Sequence, residues 1–200
     1  MPCLRMCANR VGQIVNFTSL GADCGISHNT AREWLSLLET SGIIFLIKTH
    51  HKNFNKRLVQ MPKLYFSDPG FAAYLAGIKS ADEIVSHPLK GGLFETLIIG
   101  EFLKYRLNRG LESNLFFWRD KTGHEIDCII EQSIDKAIPV EIKAGRTIAG
   151  DYFKNIQYYN ALSGQSPDRS FIVYGGDQEQ NRSDGRVIRH SNLDPIFTFL

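Results

Sequence analysis

Long apolar runs are missing from this sequence. None approaches the roughly 18 to 20 residues that cross a bilayer, and the longest, at residues 93–100 and 42–47, are the size of core segments. The N-terminus, Met-Pro-Cys-Leu-Arg, lacks a basic-then-apolar signal layout, so no export signal and a cytoplasmic location are expected. Cysteine is sparse. Cys3, Cys7, Cys24 and Cys128 form no CxxC pair and no Cys/His ligand set, which argues against structural zinc and a disulfide framework and leaves them as small apolar residues. There is no internal repeat and no low-complexity stretch. Nor is there a G-x-x-x-x-G-K-[ST] run, so no ATP chemistry is assigned to these 200 residues. With 43% hydrophobic and 22% charged residues, the composition is that of a globular chain and excludes a disordered tail, a collagen-like fibre and a coiled coil.

What is present is unevenly charged. Residues 1–80 hold nine Lys/Arg and four Asp/Glu, a balance of +5, while residues 81–200 hold 14 and 17, a balance of −3. A basic front and a mildly acidic rear predict two domains, 1–80 and 81–200, joined through residues 77–90. The segment at residues 175–185 reads as a loop.

In the front part Leu4, Cys7, Val11, Ile14 and Val15 recur at helical spacing and predict a helix over residues 3–16. A short helix follows at 19–24, with Gly25 as the turn residue. Ser27 can cap the next helix by accepting an orphan backbone N–H. Within residues 27–39 the stripe Ala31, Trp34, Leu35 and Leu38 is expected to face the core, leaving His28, Asn29, Arg32 and Ser36 outside. The β-branched run 43–47 reads as a strand whose hairpin partner is 57–66. From Lys48 to Lys63 there are five Lys/Arg, among them Lys52, Lys56 and Arg57, and no acid. Helix, turn, helix and basic hairpin is the layout of a winged helix-turn-helix. Such a recognition helix fits the major groove while the wing touches phosphates, which predicts duplex DNA as a partner through His28, Asn29, Arg32, Lys52, Lys56 and Arg57. Glu33 near that face opposes phosphate, and the same layout also serves as a protein-docking module.

The rear part carries the sharper chemistry. Residues 93–107 read as a helix that places Glu95 on one face with Ile98, Ile99 and Phe102, and a carboxylate on an apolar stripe is costly unless paired. Strands are predicted at 114–119, 125–131 and 137–143, with turns at 120–123 and 132–136. A hairpin centred near residue 134 puts Asp127 opposite Glu141, with Lys143 on the same face as Glu141. Two carboxylates about 5 Å apart repel unless a cation lies between them. Oxygen ligands of this kind suit Mg²⁺ or Mn²⁺, with Asp127 and Glu141 as metal ligands and a neighbouring lysine to orient water or offset charge on a phosphate. Glu-Ile-Lys alone also fits an ordinary alternating strand; Asp127 fourteen residues earlier and Glu95 on the preceding helix make the combination informative.

The order helix with Glu, strand with Asp, strand with Glu-x-Lys, then helix resembles the PD-(D/E)XK nuclease superfamily. Pro62-Lys-Leu-Tyr-Phe-Ser-Asp-Pro-Gly70, Gly92-Leu-Phe-Glu95, Phe117-Trp-Arg-Asp-Lys-Thr-Gly-His-Glu-Ile-Asp127 and Val140-Glu-Ile-Lys-Ala144 resemble one group more closely. That group is a prokaryotic domain of unknown function found C-terminal to an AAA+ ATPase module, with a winged helix between them. The resemblance covers nearly the whole chain. It implies a mixed α/β (α+β) fold: a winged helix-turn-helix followed by a restriction-endonuclease-like αβββαβ core with a mixed central sheet. It further implies Asp127 and Glu141 as metal ligands, Lys143 as the catalytic lysine, Glu95 completing or steering the site, Gln157 as a nearby polar residue, and an AAA+ ATPase module as partner. Because residue 1 falls almost inside the first helix of the winged part, the chain is expected to be a piece cut at a domain boundary or a form without its motor.

The remaining expectations are a helix at 148–162 packing Ile148, Tyr152, Ile156 and Tyr159 on the sheet, a strand at 171–174, and edge segments at 186–190 and 195–200. His124 reads as a solvated turn residue, and Trp34 and Trp118 as core. Two functions follow: a metal-dependent DNA-processing nuclease, or a non-catalytic docking module of an AAA+ ATPase that keeps a nuclease fold as scaffold. A transcriptional regulator would leave the rear carboxylates unexplained.

Overall fold

The computed structural model describes residues 2–50, 59–133 and 135–200. It is a mixed α/β structure with nine strands and eight α-helices among those residues, most strand pairings being antiparallel. The chain divides into two compact units, Met1–Ile47 with Met61–Gly100, and Lys48–Gln60 with Glu101–Leu200.

The first unit opens with α1 (Pro2–Ala8), β1 (Gln13–Ile14), α2 (Phe17–Cys24) and α3 (His28–Thr40). The helix predicted to reach residue 16 stops at Ala8. Gly12 takes a left-handed φ of +75°, and its N–H donates to Leu64 O at 2.8 Å, so the chain leaves the helix and pairs as a strand. Local chemistry fixes the next boundaries. Asn16 accepts from the N–H groups of Thr18 and Ser19 to start α2, Gly25 closes it at φ +68°, and Ser27 accepts from Thr30 N at 3.1 Å to start α3.

On α3, Ala31 and Leu35 are buried, but Trp34 is 43% exposed, which corrects its assignment to the core. Ala31 and Leu35 already fill the i, i+4 stripe, and Trp34 lies one step round the helix from it. β2 (Ile44–Thr49) pairs antiparallel with β3 (Lys63–Phe66), which also takes β1 on its other edge. α4 (Pro69–Leu75) is capped by Asp68, and α5 (Ala81–Ser86) by Ser80. The segment read as a bare connection therefore holds a helix, because Ser80 accepts from Glu83 N while the Glu83 carboxylate takes Lys79 N–H at 2.9 Å. The core gathers Val11, Leu20, Leu35, Ile44, Leu64, Phe66 and Leu93.

α6 (Lys90–Leu107) begins in the first unit and ends in the second. In the second unit, β4 (Leu115–Arg119), β5 (Glu125–Ser133) and β6 (Lys136–Lys143) form an antiparallel ladder, and Lys48–Thr49 pair parallel with Phe116–Phe117. α7 (Lys154–Ser163) starts six residues later than predicted; Gly150 weakens helix formation in the segment before it. β7 (Phe171–Tyr174) joins β6 in parallel, and β9 (Gly185–Arg189) joins β7. The predicted loop at 175–185 contains β8 (Gln180–Arg182), folded back antiparallel on β9. α8 (Asp194–Phe197) follows. Trp118 is fully buried, as expected, among Ile126, Ile129, Ile156, Tyr159 and Ile172.

Candidate functional site

Strand periodicity builds the site. Along β6, Ile138 and Val140 are fully buried on one face, and Glu141 and Lys143 follow the two-residue repeat on the other. The β5–β6 ladder pairs Cys128 with Val140, Ile129 with Pro139 and Ile130 with Ile138. One further step in the same register sets Asp127 across from Glu141. The three side chains meet there. Asp127 Oδ2 accepts the Ile142 N–H at 2.8 Å. Lys143 Nζ lies 2.5 Å from Glu141 Oε2 and 3.6 Å from Asp127 Oδ2.

The electrostatics follow from burial. The Glu141 side chain is only 2% exposed, whereas Lys143 keeps 31% of its surface open. Burial, followed by the charge of Asp127, pushes the Glu141 carboxyl well above the usual carboxylate range; the Lys143 ammonium pulls the other way without cancelling them. Glu141 Oε1 is buried with no hydrogen-bond partner among the described residues. An acceptor left without a donor inside a protein costs about 1 to 3 kcal/mol.

Among the described residues no group of three or more His, Cys, Asp or Glu side chains is placed to hold a metal. Two carboxylates are nonetheless a suitable donor set for Mg²⁺ or Mn²⁺, which often keep several waters and take one or two protein oxygens. A Glu141 oxygen buried without a partner among the described residues, on a residue in register with Asp127, fits such an ion.

The other predicted residues fall as follows. Glu95 belongs to the first unit, where its Oε2 accepts from Tyr65 OH at 2.9 Å and lies 3.4 Å from Lys63 Nζ. Tyr65 and Lys63 are buried on β3 and answer the demand that a carboxylate on an apolar stripe be paired. Both lie in the 62–70 motif and alternate along its short strand, which is the sequence signal for them. Gln157 lies exposed on α7, with no side-chain hydrogen bond to the trio among the described residues. His28, Asn29 and Arg32 are exposed on α3, and the Arg32 guanidinium sits 5.3 Å from the centre of the Phe17 ring. Lys52, Lys56 and Arg57 lie outside the described residues. His124 stacks on Tyr158 with ring centres 3.9 Å apart and meets Asn155 through Nδ1, so it is held in place rather than simply solvated.

Sequence reasoning also missed Asp120. It is buried, and its carboxylate accepts from Thr122 N, Thr122 Oγ1, His124 N and Tyr158 OH, at 2.7 to 3.3 Å. Burial pushes its pKa up, but those four donors outweigh it and the net shift is downward. The Asp-x-Thr spacing of the 120–123 turn is the signal that could have found it.

No helix among the described residues is long and apolar enough to cross a membrane. No curated protein and no solved structure matches the chain. Residues 1–82 match a family described as domain of unknown function DUF8612. Residues 90–193, more than half the chain and the whole span of the Asp127, Glu141 and Lys143 cluster, match domain of unknown function DUF4143, and the chain belongs to that family.

Proposed function

We propose that the second unit is a divalent-metal phosphodiesterase acting on DNA, built on a PD-(D/E)XK-type core, and that the first unit is a winged helix that binds duplex DNA. The observation that supports this reading best is the meeting of Asp127, Glu141 and Lys143, with the second Glu141 oxygen, Oε1, buried and without a hydrogen-bond partner among the described residues.

Asp127 and Glu141 would hold a Mg²⁺ or Mn²⁺ ion. When bound, such an ion supplies a more nucleophilic water and offsets charge on the phosphate. The chain's own groups do the rest. The Ile142 N–H fixes the rotation of the Asp127 carboxylate. Burial keeps the Glu141 carboxylate in a low-dielectric setting, where its attraction for a cation is strong. Lys143, partly exposed, reaches solvent and can donate to an attacking water or to a phosphate oxygen. In the first unit the exposed His28, Asn29 and Arg32 lie on the face of α3 that a major groove would accept.

Plasmid nicking in Mg²⁺ or Mn²⁺ tests the reading, comparing the wild type with Asp127→Ala and Lys143→Ala. Metal-dependent cleavage lost in both variants is expected. No cleavage by the wild type under either ion would overturn it.

One observation favours a second reading for the first unit. Trp34 and Leu37 are 43% and 67% exposed on α3, an apolar pair that suits a protein surface better than a phosphate backbone. In that reading the chain is a docking module of an AAA+ ATPase, its nuclease-type fold kept as scaffold.

A further inference from the structure

We propose that a cleft at the C-terminal ends of β6 and β7 is a subsite for a backbone phosphate of a nucleic-acid strand, with Arg146 and Arg182 as its anion-binding groups. The inference rests on the preceding reading for the identity of that strand as the substrate.

The cleft measures about 450 Å³ and lies wholly within the second unit. Its walls include Arg146, Tyr174, Gly176, Asp177, Gln178 and Arg182. It is tied to the carboxylate–lysine cluster by backbone. Tyr174 pairs with Lys143 across the β6–β7 ladder, and the Gly175 N–H donates to Lys143 O at 3.0 Å. Arg146 follows Lys143 by three residues, at most about 11 Å of chain. A phosphate at the cleft and a phosphate at Lys143 are therefore within reach of one strand.

Gly176, which lines the cleft, belongs with Gly175 to a close-packed turn. A Cβ at Gly175 would lie 2.9 Å from Ala144 O, and one at Gly176 would lie 2.6 Å from Arg146 O and 2.4 Å from the Tyr174 ring. Tyr174 OH in turn accepts the Gln178 N–H at 2.6 Å. The turn is thus held rigidly against the segment that carries Arg146. Arg182 is also positioned: its Nε donates to Gln180 Oε1 at 2.9 Å, and its guanidinium lies 5.9 Å from the centre of the Phe153 ring. No carboxylate pairs with Arg182 among the described residues. Arg146 does meet Asp177, at 3.3 Å, but both side chains are more than three-quarters exposed, and such pairs are weak enough for a phosphate to displace. Guanidinium groups suit phosphate because they bind it through two parallel donors.

The test is binding of a labelled single-stranded oligonucleotide of about 12 nucleotides, and of its duplex, in EDTA so that no cleavage occurs. Affinity is followed against salt. The double variant R146A/R182A is expected to bind more weakly, with the slope of log K on log salt shallower by about 0.7 (single strand) to 0.9 (duplex), the share of one phosphate contact. R146K/R182K should restore most of that slope. K121A/K136A removes two exposed charges that do not line the cleft, and should not reproduce the change. Unchanged affinity and slope in R146A/R182A would overturn the inference, and so would an equal loss in K121A/K136A. Free dAMP serves as competitor: if it binds wild type, loses binding in R146A/R182A and leaves oligonucleotide affinity untouched, the cleft holds a mononucleotide and the strand subsite is wrong. Melting curves show that each variant is folded. Cleavage by the wild type with an unchanged slope removes the cleft and keeps the phosphodiesterase. A reduced slope without cleavage does the reverse.

Discussion

Lys143 and Glu141 project from the same face of one strand, two residues apart, and their charged ends lie 2.5 Å from each other. That contact satisfies Oε2 of Glu141 and leaves Oε1 buried without a partner among the described residues. The carboxyl is therefore stabilised on one side only, with the Asp127 charge beside it.

Glu141→Gln should separate stability from metal response. In EDTA the wild type holds a carboxyl whose folded pKa is raised, so the contribution of this group is fully present below about pH 4.3, the ordinary glutamate value, and is lost as pH climbs through the raised value. Glutamine cannot ionise. The variant should melt at or above the wild type at pH 7 to 8 in EDTA and lack this arm of the pH profile, while the wild type alone should gain melting temperature on adding Mn²⁺. A wild type that gains nothing from the ion would remove the metal reading of this pair.

Asp120→Ala should be damaging although it lies outside the carboxylate pair. It strips the acceptor from two backbone N–H groups and two hydroxyls, a loss of about 3 kcal/mol, or roughly 6 to 12 °C for a chain of this size. Because the folded pKa is depressed, this contribution is present above about pH 3.9 and fades as pH falls through the lower folded value. Thermal melts of wild type and variant at pH 7 and near pH 3 should therefore converge at the acid end.

The cysteines make a negative prediction. Cys3, Cys7 and Cys24, scattered in sequence, gather in the first unit, where burial pushes Cys7 to about 11 and burial with the Cys3 contact pushes Cys24 to about 12. At pH 8 only about one Cys7 in a thousand is thiolate. Iodoacetamide should label these two slowly in the native protein and rapidly in guanidinium; quick native labelling at either would contradict the packing.

Two glycines should differ sharply. Gly25→Ala meets open space and bears only the left-handed backbone, about 1 to 2 kcal/mol. Gly92→Ala would drive a Cβ to 2.2 Å from Val11 O and should cost more than about 3 kcal/mol. Urea titrations of the two variants give the comparison directly.

Much of this was legible in the sequence where a local rule decided the outcome. Ser27, Gly25 and the alternation through 138–143 each carry their own signal, and the β5–β6 register followed from the centre of the hairpin. The misses share a different origin. The helix expected to reach residue 16 failed because Gly12 N–H finds Leu64 O, a partner more than fifty residues away. Trp34 reads as core by periodicity, yet two neighbours on α3 already fill the stripe. Tyr65 and Lys63 hold Glu95 through a pairing that only the folded first unit brings about. The α5 helix differs: Ser80-Ala-Asp-Glu83 is itself a capping signature, but Gly77 before it and His87-Pro88 after it give the segment the composition of a connection.

The β5–β6 ladder has one more consequence, and it concerns parity. The register that aligns Asp127 with Glu141 is set by the pairs from Cys128–Val140 to Glu131–Ala137, ahead of the irregularity that follows Glu131. Residues added at the tip beyond Ser133 lengthen the turn and leave the carboxylates where they are. A single deletion between residues 128 and 131 is another matter. It is an odd step in a structure of period two, so it would turn Asp127 to the opposite side of the sheet while every strand remained a strand. The hairpin can vary in length at its tip, but its interior counts residues.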